Sequence, residues 1–457
     1  MTIKDLQPKI VWDNFYGITR QPRPSKHEEK IRAWLLDWAK QHNIEAFADE
    51  TGNVIMRKPA TPGMENLKGV IMQGHMDMVP QKNADVKHDF ENDPIETWVD
   101  GDWLKAKGTT LGADNGLGVA LALSVLESDD IKHGPLELLV TYDEETSMTG
   151  ANSLKPGVLK GEILLNIDSE TEGELYIGCA GGLDASIVGS YERKPEPEGW
   201  LCYSLTVKGF QGGHSGMDII LCRANANKVG ARVLYALLTK ADVKLIDMEG
   251  GNLHNAIPRE CFATIYVAPD KVEIAKKVVA DVFAEVKTEY AATDPDCDYV
   301  FEPYQCAPGE TCDPDDCLYV EESAALRYIQ AILACPDGVE RMSDQMPGLV
   351  ETSNNMAMVK IYKGEFLISN LLRSSVDSAK ELLALNVRSV AELAGCRLEI
   401  TDGYSGWAPN AASPILHVMK QEYKKMFGIE PKVMAIHAGL ECGILSGAYP
   451  NWDMVSF

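Results

Sequence analysis

Residues 69–80 read Gly-Val-Ile-Met-Gln-Gly-His-Met-Asp-Met-Val-Pro. The apolar run at 70–72 predicts a buried strand. Gly74 is expected to bend the chain, and His75 and Asp77 follow on one side of the extended segment. A neutral imidazole binds Zn²⁺, Mn²⁺ or Co²⁺, and a nearby carboxylate fixes its tautomer. The stretch therefore predicts a strand that ends in a candidate metal ligand.

Helix and strand patterns alternate over the first part of the chain. Residues 25–40 have the spacing of an amphipathic helix, with Ser25 as the predicted N-cap and Glu28 three residues later. Residues 115–127 are apolar nearly all round, which predicts a buried helix. Short strands are predicted at 53–57, 70–73, 136–142 and 163–167. We therefore predict an α/β fold with a mixed, mostly parallel sheet flanked by helices.

A second domain is predicted within the first. The charged, Pro-rich stretch at 191–199 has the composition of a linker. After it, strands and helices alternate in two similar runs, which predicts an inserted α+β domain with two related units. Residues 400–457 return to a helix–strand–helix pattern. We therefore predict one domain from residues 1–188 and 398–457, and an inserted domain from residues 189–397.

The composition limits the possible partners and location. The chain has 457 residues and a formal net charge of -25, which argues against nucleic acid and anionic membranes as partners. It contains no apolar run long enough to span a bilayer and no signal-peptide pattern, so we expect a cytoplasmic protein. Eleven cysteines without a C-x-x-C spacing indicate reduced thiols. Cys306, Cys312 and Cys317 fit no standard zinc motif, and we interpret them as inert, with metal binding as the alternative.

Acidic residues and histidines follow several predicted strands and precede the buried helix. Each has a simpler interpretation, such as a helix cap for Asp114, a turn residue for Asp168 or a core histidine for His437. However, the carboxyl ends of strands in an α/β sheet form the ligand crevice, so one shared site explains them more simply. The residues are Asp114, Glu144, Glu145, Asp168 and His437.

This set of residues has the chemistry of a dinuclear hydrolase. Two divalent ions about 3.5–4 Å apart need a bridging carboxylate, and each ion takes further His, Asp or Glu ligands. One more carboxylate must stay unligated to accept a proton from the attacking water. With His75, the sequence supplies six suitable residues, which is enough for five ligands and a base.

The order of these motifs resembles that of the M20 metallopeptidases over nearly the whole chain. The segments at 74–80, 110–116 and 143–151 are most similar to the cytosolic Xaa-His dipeptidase branch. The resemblance implies two divalent ions, most simply Zn²⁺, with Mn²⁺ or Co²⁺ as alternatives. It implies that Asp114 bridges the ions. The remaining ligands would be His75 and Asp168 for one ion, and Glu145 and His437 for the other.

The resemblance also implies roles for residues that do not bind metal. Glu144 would be the general base that activates a metal-bound water, and Asp77 would orient His75. Glu144 and Glu145 are adjacent and would face apart in a regular strand, so a turn must bring both to the site.

The inserted domain carries three further candidates. His214, in Gly-Gly-His-Ser-Gly, would stabilise the oxyanion in its own or a partner subunit's site, although a plain glycine turn is the alternative. Asn255, in Asn-Ala-Ile-Pro, resembles a substrate-binding turn of the family. Arg373 would bind the α-carboxylate of a dipeptide, with a surface arginine at a helix start as an equal alternative.

The resemblance implies a dipeptidase for substrates with a free N-terminus, including Xaa-His dipeptides. The inserted domain would form a lid and a homodimer surface. A related N-acyl-amino-acid deacylase or tripeptidase is the nearer alternative, because the lid pocket decides between them. A non-catalytic binding relative is the more distant one, and the six filled positions argue against it.

Overall fold

The computed structural model describes residues 2–169, 171–304, 314–401 and 403–457. Cys306 and Cys312 lie outside the described residues, and Cys317 is a free thiol. Contacts divide the chain into two compact units. Unit 1 comprises Met1–Cys179, Trp407–Ala435 and Leu440–Phe457, and unit 2 comprises Ala180–Gly406 and Ile436–Gly439.

Unit 1 is built on a sheet of eight strands within the described ranges. Its four central strands are parallel to one another. Antiparallel pairs join them to Val54–Lys58 on one side and to Glu174–Cys179 on the other. The predicted α/β fold with a mixed sheet is confirmed. In spatial order the strands are Glu45–Ala48, Val54–Lys58, Leu136–Thr141, Val70–His75, Ile163–Asn166, Asp453–Ser456, Glu174–Cys179 and Lys432–Ile436. A separate hairpin pairs Thr97–Asp100 with Trp103–Ala106.

The helices of unit 1 pack their apolar residues against this sheet. Ala113–Glu127 is largely buried, as its all-round apolar sequence predicted. No helix in the described part of the chain is long and apolar enough to cross a membrane. Besides Ala113–Glu127, the α-helices described in unit 1 are Lys9–Thr19, Glu29–Gln41, Glu144–Ser147, Thr149–Ser153, Pro414–Phe427 and Glu441–Ala448.

Two local predictions for unit 1 are wrong. The helix predicted at 25–40 begins at Glu29, and the Ser25 hydroxyl donates to Asp77 Oδ2 at 2.8 Å instead of capping the helix. Gly74 does not bend the chain, because it is paired within the strand Val70–His75. A Cβ at Gly74 would lie 2.0 Å from Asn115 Oδ1, so the glycine makes room for that side chain.

Unit 2 is built on one antiparallel sheet with helices packed against it. Gly181–Ser190 pairs along its whole length with Glu365–Ser374, which places the start of unit 2 before the predicted linker at 191–199. In spatial order the described strands of this sheet are Asp298–Pro303, Leu201–Lys208, Cys261–Val267, Val243–Gly250, Val350–Tyr362, Glu365–Ser374, Gly181–Ser190 and Arg397–Ile400, with Gly338–Met342 paired to Val350–Tyr362. Two short pairs lie outside it, Arg193–Lys194 with Tyr319–Val320 and Gly213–His214 with Ala256–Ile257. The described α-helices are Ala226–Lys240, Val272–Glu289, Glu322–Ala334 and Asp377–Leu393.

Candidate metal centre

Acidic side chains surround the imidazole of His75 where the central strands of unit 1 end. His75 Nε2 lies 3.0 Å from Asp114 Oδ1, 3.6 Å from Asp168 Oδ1 and 3.9 Å from Glu144 Oε2. Ligand atoms of His75, Asp114 and Asp168 lie within 4.8 Å of one another, as do those of His75, Glu144 and Glu145. We call these five residues the unit 1 acidic site.

A tight turn at Asp143 brings both adjacent glutamates to this site. Asp143 has a left-handed backbone conformation (φ 54°, ψ 52°), and a single helical turn, Glu144–Ser147, follows it. The backbone N–H groups of Glu144 and Glu145 donate to Asp77 Oδ1 and Oδ2 at 3.0 and 3.2 Å. Asp77 Oδ1 also lies 3.1 Å from His75 Nδ1. One buried carboxylate therefore positions the histidine and both glutamates.

Two further buried acids hold the turn, and the sequence analysis gave neither a role at the site. Glu28 Oε1 accepts a hydrogen bond from the backbone N–H of Asp143 at 3.1 Å. The Asp143 carboxylate accepts hydrogen bonds from the hydroxyls of Thr146 and Thr149. Burial raises the pKa of Glu28 to about 7. The only signal in the sequence was the position of Glu28 after Ser25, which indicated a helix cap instead.

Asn115 is another residue of the site without a predicted role. Its side-chain Nδ2 donates to Asp168 Oδ1 at 2.6 Å and to the backbone oxygen of Ile167. The amide therefore fixes the orientation of Asp168 relative to Asp114, which directly precedes Asn115. The Ala-Asp-Asn-Gly sequence contained the residue, but no periodicity showed that its side chain reaches another strand.

The concentration of carboxylates shifts the pKa values of the acidic site. Burial raises the pKa of Glu144 to about 9, with a contribution from the charge of Glu441, and burial raises that of Glu145 to about 6. Burial lowers the pKa of His75, but hydrogen bonds with acids, Asp114 first, outweigh it and raise the pKa well above its usual value. An imidazole with several carboxylates is a donor set that suits Zn²⁺, Mn²⁺ or Co²⁺, so the residues present fit a divalent-metal centre.

His437 directly follows the strand Lys432–Ile436 but is grouped by its contacts with unit 2. Its Nε2 lies 2.7 Å from Ser353 Oγ. Burial and the positive charge of Arg373 lower the pKa of His437 to about 3. The ring is therefore neutral near pH 7, which is the form that can bind a metal ion.

His214 and Asn255 lie side by side in unit 2. Gly213–His214 pairs with Ala256–Ile257, and the backbone oxygen of Asn255 accepts a hydrogen bond from Ser215 N at 2.8 Å. His214 Nδ1 accepts hydrogen bonds from the backbone N–H groups of Gly216 and Met217, both at 3.1 Å. Because Nδ1 is an acceptor, the neutral ring carries its proton on Nε2 and can donate it to a ligand.

Arg373 is a buried strand residue, so its interpretation as a surface arginine at a helix start is wrong. Its side chain is 5% exposed and lies in Glu365–Ser374. Nε donates to Ser215 Oγ and Nη1 to Tyr404 Oη, both at 3.3 Å. Among the described residues no carboxylate pairs with this guanidinium. We call His214, Arg373 and His437 the unit 2 basic cluster.

The fold and the acidic site define a class of metal-dependent hydrolase, and sequence comparison identifies the family. The chain belongs to peptidase family M20/M25/M40, whose model matches residues 71–457. It is 43% identical over 454 residues to the cytosol non-specific dipeptidase of Escherichia coli (strain K12), which covers 99% of this chain and 92% of that protein. The predicted family is therefore confirmed.

Solved structures agree with this assignment. The structure of aminoacylhistidine dipeptidase from Vibrio alginolyticus is 44% identical, with a TM-score of 0.93 over 100% of this chain and 91% of that one. A tripeptidase from Staphylococcus aureus is 13% identical, with a TM-score of 0.51 over 98% of this chain and 89% of that one. The second similarity shows a shared fold alone.

Proposed function

We propose that this chain hydrolyses dipeptides with a free N-terminus, including Xaa-His dipeptides, in a metal-dependent reaction. The observation that carries the proposal is the convergence of His75, Asp114, Asp168, Glu144 and Glu145 in unit 1. The E. coli relative is named as a dipeptidase and the Vibrio relative as an aminoacylhistidine dipeptidase, which supports the substrate class.

We assign two divalent ions to the acidic site, most simply Zn²⁺. Asp114 would bridge them, and His75 and Asp168 would complete one shell. Glu145 and His437 would complete the other, and the assignment of His437 rests on the sequence resemblance. The bound ions would lower the pKa of a water molecule and polarise the scissile carbonyl.

Glu144 is the proposed general base. Its carboxylate would take a proton from the attacking water and pass it to the leaving amine nitrogen. A carboxylate can do this only when ionised, and nearby positive charge favours that form. Asp77 holds the backbone N–H of Glu144 and Nδ1 of His75, so the base keeps a fixed place relative to the ligand.

Arg373 and His214 are proposed to contact the substrate. A buried guanidinium without an acidic partner in the described chain is suited to binding a free α-carboxylate through two parallel hydrogen bonds. His214 would donate from Nε2 to the developing oxyanion. Asn255 lies beside His214, and the resemblance to the M20 metallopeptidases assigns it to substrate binding.

A chelation experiment with a substrate panel tests the proposed function. Incubation with a chelator should abolish hydrolysis of an Xaa-His dipeptide, and added Zn²⁺ or Mn²⁺ should restore it. The panel should include the N-acetylated dipeptide and a tripeptide as controls. Turnover that resists chelation would contradict the metal assignment. Preference for the acetylated substrate or the tripeptide would favour the deacylase or tripeptidase alternative.

We further propose a cytoplasmic homodimer formed through the inserted domain. The location is supported by the name of the E. coli relative. The dimer is supported by exposed leucines on the helix Asp377–Leu393, namely Leu382, Leu385 and Leu393, which are 59%, 54% and 87% exposed. Sedimentation of the wild type and of a variant with these three leucines changed to serine would test it. A monomeric wild type would refute it.

A further inference from the structure

A buried polar layer lies directly behind the ligands of unit 1. Gln73 precedes His75 by two residues in the same strand, so the two side chains share one face of the sheet. Gln73 is in register with Asn166, which precedes Asp168 by two residues. Thr141, at the end of the neighbouring strand, is in register with His75. These three polar residues lie on the three parallel strands that lead to the acidic site.

Glu441 joins this layer from the first turn of the helix Glu441–Ala448. Its Oε2 accepts hydrogen bonds from Gln73 Nε2 at 2.6 Å and from Thr141 Oγ1 at 2.8 Å. Gln73 Oε1 in turn accepts from Asn166 Nδ2 at 2.6 Å. The carboxylate of Glu441 therefore connects all three strands. It contacts Gln73 and Thr141 directly and Asn166 through the side chain of Gln73.

The burial of Glu441 is unfavourable for stability by itself. The residue is 2% exposed, and its Oε1 has no hydrogen-bond partner among the described residues. A buried carboxylate loses its hydration, and apolar residues of similar volume often stabilise a core more. A glutamate at this position therefore indicates a contribution other than to the free energy of unfolding.

We propose that Glu441 is a positioning residue that fixes the spacing of the strand ends carrying His75 and Asp168. It acts through Gln73 and Asn166, and through Thr141 on the strand that leads to Glu144. In the described chain, no group of possible ligand atoms within 4.8 Å of one another includes Glu441. We therefore propose that Glu441 supports the metal ligands and does not bind metal itself. The inference rests on the proposed metal-dependent function.

Zinc titration of the metal-free protein against a chromophoric chelator tests this role without relying on activity. Glu441→Leu removes both hydrogen-bond acceptors and should weaken zinc affinity by about 10–100-fold, as other losses of ligand-supporting contacts do. Glu441→Gln keeps an acceptor oxygen for Gln73 and Thr141 and should retain most of the affinity. Asn166→Leu, at the far end of the layer, should give a smaller loss in the same direction.

Asn14→Leu is a matched control in the same unit. Asn14 also makes buried hydrogen bonds, to Ser124 Oγ at 3.2 Å and from Trp38 Nε1 at 2.9 Å. This variant should lower the free energy of unfolding and leave zinc affinity unchanged.

Three results would overturn the inference. The first is wild-type affinity in Glu441→Leu or, if that variant does not fold, in Asn166→Leu. The second is an equal loss in Glu441→Gln and Glu441→Leu, which would show that the charge acts instead of the hydrogen bonds. The third is a loss in Asn14→Leu as large as that in Glu441→Leu. A wild type that neither binds zinc nor hydrolyses dipeptides would overturn the proposed function as well, which separates the two failures.

Discussion

The unit 1 acidic site and the unit 2 basic cluster shift the pKa values of their histidines in opposite directions. In unit 1, hydrogen bonds with carboxylates overcome burial and raise the pKa of His75. In unit 2, burial and the charge of Arg373 lower the pKa values of His214 and His437. The difference supports the proposals that unit 1 holds metal ions and that unit 2 holds an anion. Both are needed by an enzyme that binds metal ions and a peptide carboxylate.

The largest expected effect tests the role of unit 1 in chemistry. Glu144→Gln removes the proposed base and should lower kcat by about 10²–10⁴-fold, while the metal content stays near that of the wild type. Steady-state kinetics and elemental analysis of the same preparation would measure both. Activity close to that of the wild type would show that Glu144 is not the base.

The next effect tests the proposed anion site of unit 2. Arg373→Leu should lower kcat/KM for a dipeptide by about 10–100-fold, because a charged hydrogen bond to the carboxylate is lost. The matching dipeptide amide lacks that carboxylate and should be hydrolysed at nearly the same rate by the variant and the wild type. An equal loss for both substrates would contradict carboxylate binding by Arg373.

Asp77→Leu tests whether one carboxylate organises the acidic site. It removes the partner of His75 Nδ1 and the acceptor of two backbone N–H groups. Zinc affinity should fall by about 10–100-fold, and kcat should fall further in zinc-saturated protein because Glu144 is no longer fixed. Full recovery of kcat at saturating zinc would restrict the role of Asp77 to His75.

The smallest effect concerns pH-dependent stability in unit 1. Burial raises the pKa of Glu28 from 4.5 to about 7. Its contribution to stability is therefore complete below about pH 4.5 and is lost as the pH rises through about 7. Over this pH range, the free energy of unfolding of the metal-free protein should fall less in Glu28→Gln than in the wild type. The difference between the two falls should be about 1–3 kcal/mol. Urea unfolding at several pH values would measure it, with the exposed Glu172→Gln as control; parallel curves for Glu28→Gln and the wild type would contradict it.

The sequence predicted those features of the fold that depend on local pattern. The strand Val70–His75 and the buried helix Ala113–Glu127 follow from apolar spacing. The need for a turn before Glu144 followed from the alternation of side chains in a strand. The prediction from local spacing that Ser25 caps the helix was wrong, because the Ser25 hydroxyl donates a hydrogen bond to the carboxylate of Asp77.

Long-range contacts explain what the sequence did not predict. Glu441 meets Gln73 across 368 positions, and Glu28 meets Asp143 across 115. No periodicity within one segment reports on such pairs. The burial of Arg373 was also unpredictable from its own segment, because it depends on strands on both sides of Glu365–Ser374.

The dual contact of Asp77 has a consequence for attempts to transplant or evolve this site. The same carboxylate hydrogen-bonds to His75, the proposed metal ligand, and to the backbone of the loop that carries Glu144, the proposed base. A scaffold that acquires only the histidine strand gains a ligand without a base, and one that acquires only the glutamate loop gains a turn without its anchor. Designers who graft this centre should therefore move the segments around His75 and Glu144 together. The segment around Glu28 belongs with them, because Glu28 holds the turn before Glu144.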